Sequence, residues 1–167
     1  MSDPRYHLVQ VNIARLLAPL DSPQLAGFVA ALDPINALAD AAPGFVWRLQ
    51  TEDGDATAMR PWDDDQVLVN MSVWQSLTAL REFVYRGDHV AVMRGRREWF
   101  ERMAQAYLVL WWIPAGMLPT VDEATARLAQ LEERGPTPDA FTFRSWFPPP
   151  GELTERRDDD RWICRVG

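Results

Sequence analysis

Lysine is absent from this 167-residue chain: all 17 basic residues are arginine, a usage that reflects genomic composition more than function. Cysteine occurs once, at Cys164, so no intrachain disulfide can form. Positive charge is scarce overall. Twenty-four acidic residues leave a net charge of -7, which repels phosphate backbones and anionic lipid and so argues against nucleic-acid or membrane-surface partners. The region after Met1 has no apolar core of a leader peptide, and no run is long enough to span a bilayer, so a cytoplasmic location is expected. There is no glycine-rich phosphate loop, zinc spacing of Cys and His, nucleophile elbow or dinucleotide fingerprint. Phosphoryl transfer, serine-triad hydrolysis and NAD-dependent chemistry therefore drop out as first readings.

Apolar residues are plentiful, at 47% with eight Trp, enough to bury a sizeable core. The expectation is one domain over residues 1–150 with a C-terminal extension, then a flexible charged tail over 151–167. Tyr6 to Ile13 alternates, with His7, Val9, Val11 and Ile13 on one side and Leu8, Gln10 and Asn12 on the other, the period of a half-buried strand. Leu25, Phe28, Val29, Leu32, Ile35, Leu38 and Ala39 recur at helical spacing between Ser22 and Ala39, with Asp21 or Ser22 as N-cap. Pro34 should kink or split that helix. Phe45 to Thr51 alternates as a second strand, residues 53–65 read as a long polar connection, and Gln66 to Trp74 forms the third strand.

Ser76 is placed to cap a short helix through Leu77, Leu80, Phe83 and Val84 that stops near Gly87, and Asp88 to cap a second piece carrying His89, Val92, Met93, Trp99 and Met103. Tyr107 to Ile113 is the fourth strand. Thr120 to Arg134 is a further helix with Val121, Ala124, Leu128 and Leu131 as its stripe, followed by an aromatic segment (Phe141, Phe143, Trp146, Phe147) that should dock on the body or on a second subunit. Strand, helix, strand, strand, helix, strand is the ferredoxin-like βαββαβ order, an α+β class with an antiparallel sheet. Both crossover helices are expected on the His7–Val9 side, and the opposite face, with Gln10, Asn12, Arg48, Asn70, Ser72, Trp74, Leu108, Leu110 and Trp112, is then too apolar for water. Two copies packing these faces would form a dimeric α/β barrel with a pocket for a hydrophobic small molecule, so a homodimer is expected.

The blocks HLVQVNIARLLAPLDSP, PGFVWRLQTEDGDATAMRPWDDDQVLVNMSVWQSLTALREFVYRGDH, RREWF and LVLWWIPAGMLPTVDEA resemble the bacterial family known as domain of unknown function 3291, over roughly Tyr6 to Pro150. That family is similar to the dimeric α/β-barrel superfamily, which includes antibiotic-biosynthesis and haem-degrading monooxygenases. The resemblance implies a small-molecule biosynthetic or modifying enzyme, monooxygenase-like, that oxygenates, isomerises or cyclises an aromatic or polyketide-like substrate without a cofactor. It also implies two alternatives: a haem-binding protein or haem monooxygenase using His89, and a dimeric protein that binds a ligand without turning it over.

By the resemblance, Asn12, Asn70 and Trp74 would hold substrate or oxygen near the sheet. A carboxamide can bond a phenolate or enolate oxygen, and an indole N–H can donate to an oxyanion while its ring excludes water. The plain alternative is that the amides satisfy buried backbone groups and Trp74 is core. His89 would act as base or haem ligand, or simply face solvent. Gln10, Ser72, Leu110 and Trp112 would line the pocket, and Arg48, costly to bury alone, should meet a carboxylate, an acidic ligand or solvent. His7 reads as a satisfied structural histidine. Asp63 to Asp65 read as a solvated loop more readily than as a metal site.

Overall fold

The computed structural model describes residues 5–50, 66–102 and 107–152. The 53–65 connection with Asp63 to Asp65, Met103, and the tail from residue 153 with Trp162, Ile163 and Cys164 lie outside the described residues. The elements run β1 (Tyr6–Arg15), a short 3-10 turn (Pro23–Leu25), α1 (Ala26–Asp40), β2 (Phe45–Arg48), β3 (Val67–Trp74), α2 (Leu77–Val84), α3 (Gly87–Arg94), α4 (Arg96–Trp99), β4 (Leu108–Pro114) and α5 (Val121–Arg134). All strand pairs are antiparallel, in the order β2-β3-β1-β4. This is the expected ferredoxin-like sheet, with α5 and the segment after it added.

Local chemistry explains most boundaries. The Ser76 hydroxyl accepts from Ala79 N at 3.1 Å, and the Thr120 hydroxyl accepts from Glu123 N at 3.1 Å, each satisfying an orphan donor of a first helical turn. Ser22 starts the 3-10 turn but does not cap it; its hydroxyl donates to Pro19 O. Pro34 neither splits nor ends α1. It lies on the exposed side, as does Ala30 one turn before it, so the carbonyl released by the missing N–H faces water. The second crossover has three helical pieces, not two, with breaks at Tyr85–Arg86 and at Gly95. β2 ends at Arg48, short of the expected Thr51, although Leu49 N still donates to Met71 O at 2.8 Å.

The faces of the sheet are the main correction. Leu8, Trp74 and Leu110 pack against Ala39, Leu77, Leu80 and Phe83, so α1 and α2 cover the side that holds the polar residues. Farther along the same side, Leu16 and Leu68 meet Leu25, Phe28, Trp99 and Phe100. The other side, with Val9, Val11, Met71, Val73, Val109 and Trp111, packs on Ala124, Leu128 and Leu131 of α5. Alternation assigns residues to two faces without saying which face the crossovers take. That choice follows from the right hand of the connection between the parallel strands β1 and β2. The polar side is therefore covered within one chain, and its burial does not require a second copy.

The chain also wraps its own sheet edge. After α5, Phe141 exchanges backbone hydrogen bonds with Leu110 (2.8 and 2.9 Å), pairing with the outer edge of β4. Phe141, Phe143 and Phe147 then join the cluster beneath α1 and α2. The aromatic segment thus docks on its own body, with the Arg81 guanidinium donating to Phe143 O at 3.2 Å and lying 5.7 Å from the Trp146 ring centre.

Candidate functional site

Strand register places eight of the nine predicted site residues on three adjacent rungs of the helix-covered face. The first rung runs Phe45, Trp74, Leu8, Trp112; the second Arg48, Ser72, Gln10, Leu110; the third Asn70, Asn12, Leu108. A bulge between Phe45 and Trp47 puts Phe45 on the same face as Arg48, where simple alternation would separate them, and sends Trp47 to the α5 side.

These side chains bond mainly to one another. The Trp74 indole N–H donates to Ser72 Oγ at 2.9 Å, the Ser72 hydroxyl donates to Gln10 Oε1 at 3.0 Å, and Gln10 Nε2 donates to Asn12 Oδ1 at 2.9 Å. Trp74 is 1% exposed, and Gln10 and Ser72 are each 9% exposed. Asn12 is half-buried and Asn70 is exposed, so the row begins deep under the helices and opens outward at the third rung. Trp74 is not placed to donate to a ligand, because its only donor is held by Ser72. Its ring is clamped instead, edge-on to Phe45 (5.4 Å between centres) and stacked on Phe83 (5.2 Å).

Arg48 meets the carboxylate that its burial demands: Nε donates to Asp40 Oδ1 at 2.7 Å and Nη2 to Oδ2 at 3.2 Å, with the Arg48 side chain 14% exposed. Asp40, the last residue of α1, carried no such signal in the sequence. Leu110 is buried beside its bridge partner Phe141, and the Trp112 indole donates to Phe147 O at 2.9 Å, so the 141–147 segment closes this end of the face.

His89 sits on α3, on none of the rungs. Its Nδ1 lies 2.9 Å from Val84 O, and a carbonyl can only accept, so Nδ1 carries the proton and Nε2 keeps its lone pair. Burial pushes its pKa below the ordinary 6.5, opposed by the bond to Val84 O. Its ring contacts Phe83 at 5.4 Å and reaches Trp74 only through that ring. His7 departs from expectation: among the described residues its buried Nδ1 has no hydrogen-bond partner, and neither has Trp111 Nε1 on the same α5-facing side. A separate groove of about 240 Å³ between Ala42–Pro43 and Ala79, Glu82, Phe83 and Arg86 includes none of the predicted site residues.

Among the described residues, no group of three or more His, Cys, Asp or Glu is placed to hold a metal ion, and no helix is long and apolar enough to cross a membrane. The arrangement offers a ligand two adjacent carboxamides, next to a largely buried polar rung (Arg48, Ser72, Gln10) and, beyond it, an apolar and aromatic one.

The family described as domain of unknown function DUF3291 matches residues 7–157. No curated protein matches the chain in sequence. Among solved structures, the chain is similar to SnoaB, a cofactor-independent oxygenase from Streptomyces nogalater, with 19% identity and a TM-score of 0.42 over 68% of this chain and 98% of that one. It is also similar to PA3566 from Pseudomonas aeruginosa, with 12% identity and a TM-score of 0.47 over 71% and 100%. A third likeness is to a candidate antibiotic biosynthesis monooxygenase from Nitrosomonas europaea, with 12% identity and a TM-score of 0.44 over 72% and 98%.

Proposed function

We propose that this chain, which belongs to the DUF3291 family, is a small-molecule-modifying enzyme that oxidises an electron-rich aromatic or polyketide-like substrate with molecular oxygen and no added cofactor. One observation carries the reading: the row of hydrogen bonds from Trp74 ends at the carboxamide of Asn12, whose register partner across β1 and β3, where the face opens, is a second carboxamide, Asn70. Asn12 and Asn70 hold the oxygen of a substrate enolate or phenolate, and carboxamide donors aimed at a developing oxyanion are an effective use of two such side chains. Phe83, Phe45 and Trp74 keep the deeper rungs dry. The proton lost when the anion forms passes to solvent at the open third rung; His89, which contacts Phe83 at the first-rung end of the face, does not sit beside Asn12 and Asn70. An anthrone illustrates the balance. Its methylene loses two hydrogens and gains one oxygen atom, and the second oxygen atom leaves as water, so dioxygen is the sole oxidant.

Oxygen uptake with an anthrone probe tests this. The wild-type protein should consume oxygen without added metal, haem or flavin, and Asn12→Ala and Asn70→Ala should each lower kcat/KM by about 100-fold. Ligand-dependent thermal stabilisation without turnover would instead favour a binding protein. A Soret band on haem titration, lost in His89→Ala, would favour haem ligation through Nε2.

A further inference from the structure

We propose that Gln10 and Ser72 are positioning residues that fix which end of the Asn12 amide meets the ligand, so that the site selects hydrogen-bond acceptors such as phenolate or enolate oxygens and rejects donors. The inference rests on the reading above that Asn12 touches the ligand, and it adds the polarity of that contact.

A carboxamide has a donor end and an acceptor end that exchange by a half-turn, so Asn12 alone would serve either kind of ligand. The row removes that freedom. An indole nitrogen has a proton and no available lone pair, so the first bond runs one way only, from Trp74 Nε1 to Ser72 Oγ at 2.9 Å. The Ser72 proton must then go to an acceptor, and Gln10 Oε1 at 3.0 Å is the acceptor it meets. Were Gln10 turned the other way, its NH2 would also point at Ser72 Oγ, and the hydroxyl proton of a side chain 9% exposed would lose that acceptor. Gln10 therefore shows Nε2 to Asn12, and Asn12 answers with Oδ1 at 2.9 Å.

What remains is the Asn12 NH2 at the open third rung, beside Asn70, and no described hydrogen bond uses it. Each bond also polarises the next, which strengthens the donor at the end of the row. Trp74 thus acts on a ligand it does not touch, through two intermediates that are buried and keep their order.

Two probes of similar shape separate this from a packing role: 4-nitrophenolate, which accepts, and 4-nitroaniline, whose amino group donates. The wild-type protein should bind the phenolate more tightly than the aniline. In Gln10→Met, which keeps the length of the side chain and removes both its polar ends, Asn12 can turn, and the preference should fall about tenfold. Ser72→Ala, a smaller change that uncouples Gln10 from Trp74, should move the ratio in the same direction and serves if Gln10→Met does not fold. A packing defect would weaken both probes together and leave their ratio unchanged. An unchanged ratio in a folded variant, a wild-type preference for the aniline, or binding of neither probe would overturn the proposal. Because turnover plays no part, selective phenolate binding by a protein that consumes no oxygen would sink the oxidase reading and leave the amide lock standing.

Discussion

His89 shows how a single side chain links burial to pH. Its folded-state pKa lies below the ordinary 6.5 because burial disfavours the imidazolium, an effect that the Nδ1 hydrogen bond to Val84 O only partly opposes. As pH falls through 6.5, the unfolded chain takes up the proton first. The contribution of this histidine to stability is therefore fully present above 6.5 and is lost as pH drops from there toward the lowered folded value. Urea unfolding at about pH 7.5 and about pH 5.5 should show a larger loss for wild type than for His89→Asn, whose amide can still donate to Val84 O without titrating. Equal losses would mean that His89 is not the group responsible. Residue types and parity made Asn12, Asn70, Gln10, Ser72 and Trp74 legible in the sequence as one face. Their bonds to one another were not legible, because a donor–acceptor order depends on rotamers that periodicity does not encode.

At the scale of the element, the turn from α1 into β2 is under the tightest constraint. Gly44 has φ +81°, and a Cβ added there would lie 2.5 Å from the Cβ of Ala79 on α2. Its carbonyl also accepts from Gln75 N at 2.7 Å, at the end of β3. Gly44→Ala should cost on the order of 1–3 kcal/mol by denaturant midpoint, through backbone conformation and contact together. Adding Ala79→Gly should recover only the contact part, and full recovery would show that φ is not limiting. The caps at Ser76 and Thr120, and the α5 stripe of Ala124, Leu128 and Leu131, could be read from spacing because each depends on neighbours within two turns. The bulge in β2 could not, since one extra residue in four leaves no periodic trace. That Pro34 does not split α1 could not be read either, since this depends on whether the released carbonyl meets water, which is a property of the assembled face.

For the molecule as a whole, the sequence reading identified the βαββαβ order and one aromatic segment in need of a surface, and the structure joins them. The face expected to await a second copy is covered by α1, α2 and the 141–147 segment of the same chain, while α5 packs on the other side. The proposed site lies where that covering ends, at the half-buried Asn12 and the exposed Asn70, on the face its own helices pack against. Alternation alone carries no handedness, and the face with Gln10, Ser72, Asn12 and Asn70 also holds enough apolar residues for helices to pack on it. The most direct test of this account is a crystal structure of the protein with bound 4-nitrophenolate. The phenolate oxygen should lie within about 2.7–3.2 Å of Asn12 Nδ2, on the helix-covered face beside Asn70. A probe seated on the α5 side of the sheet, or in the groove between Pro43 and Glu82, would contradict it.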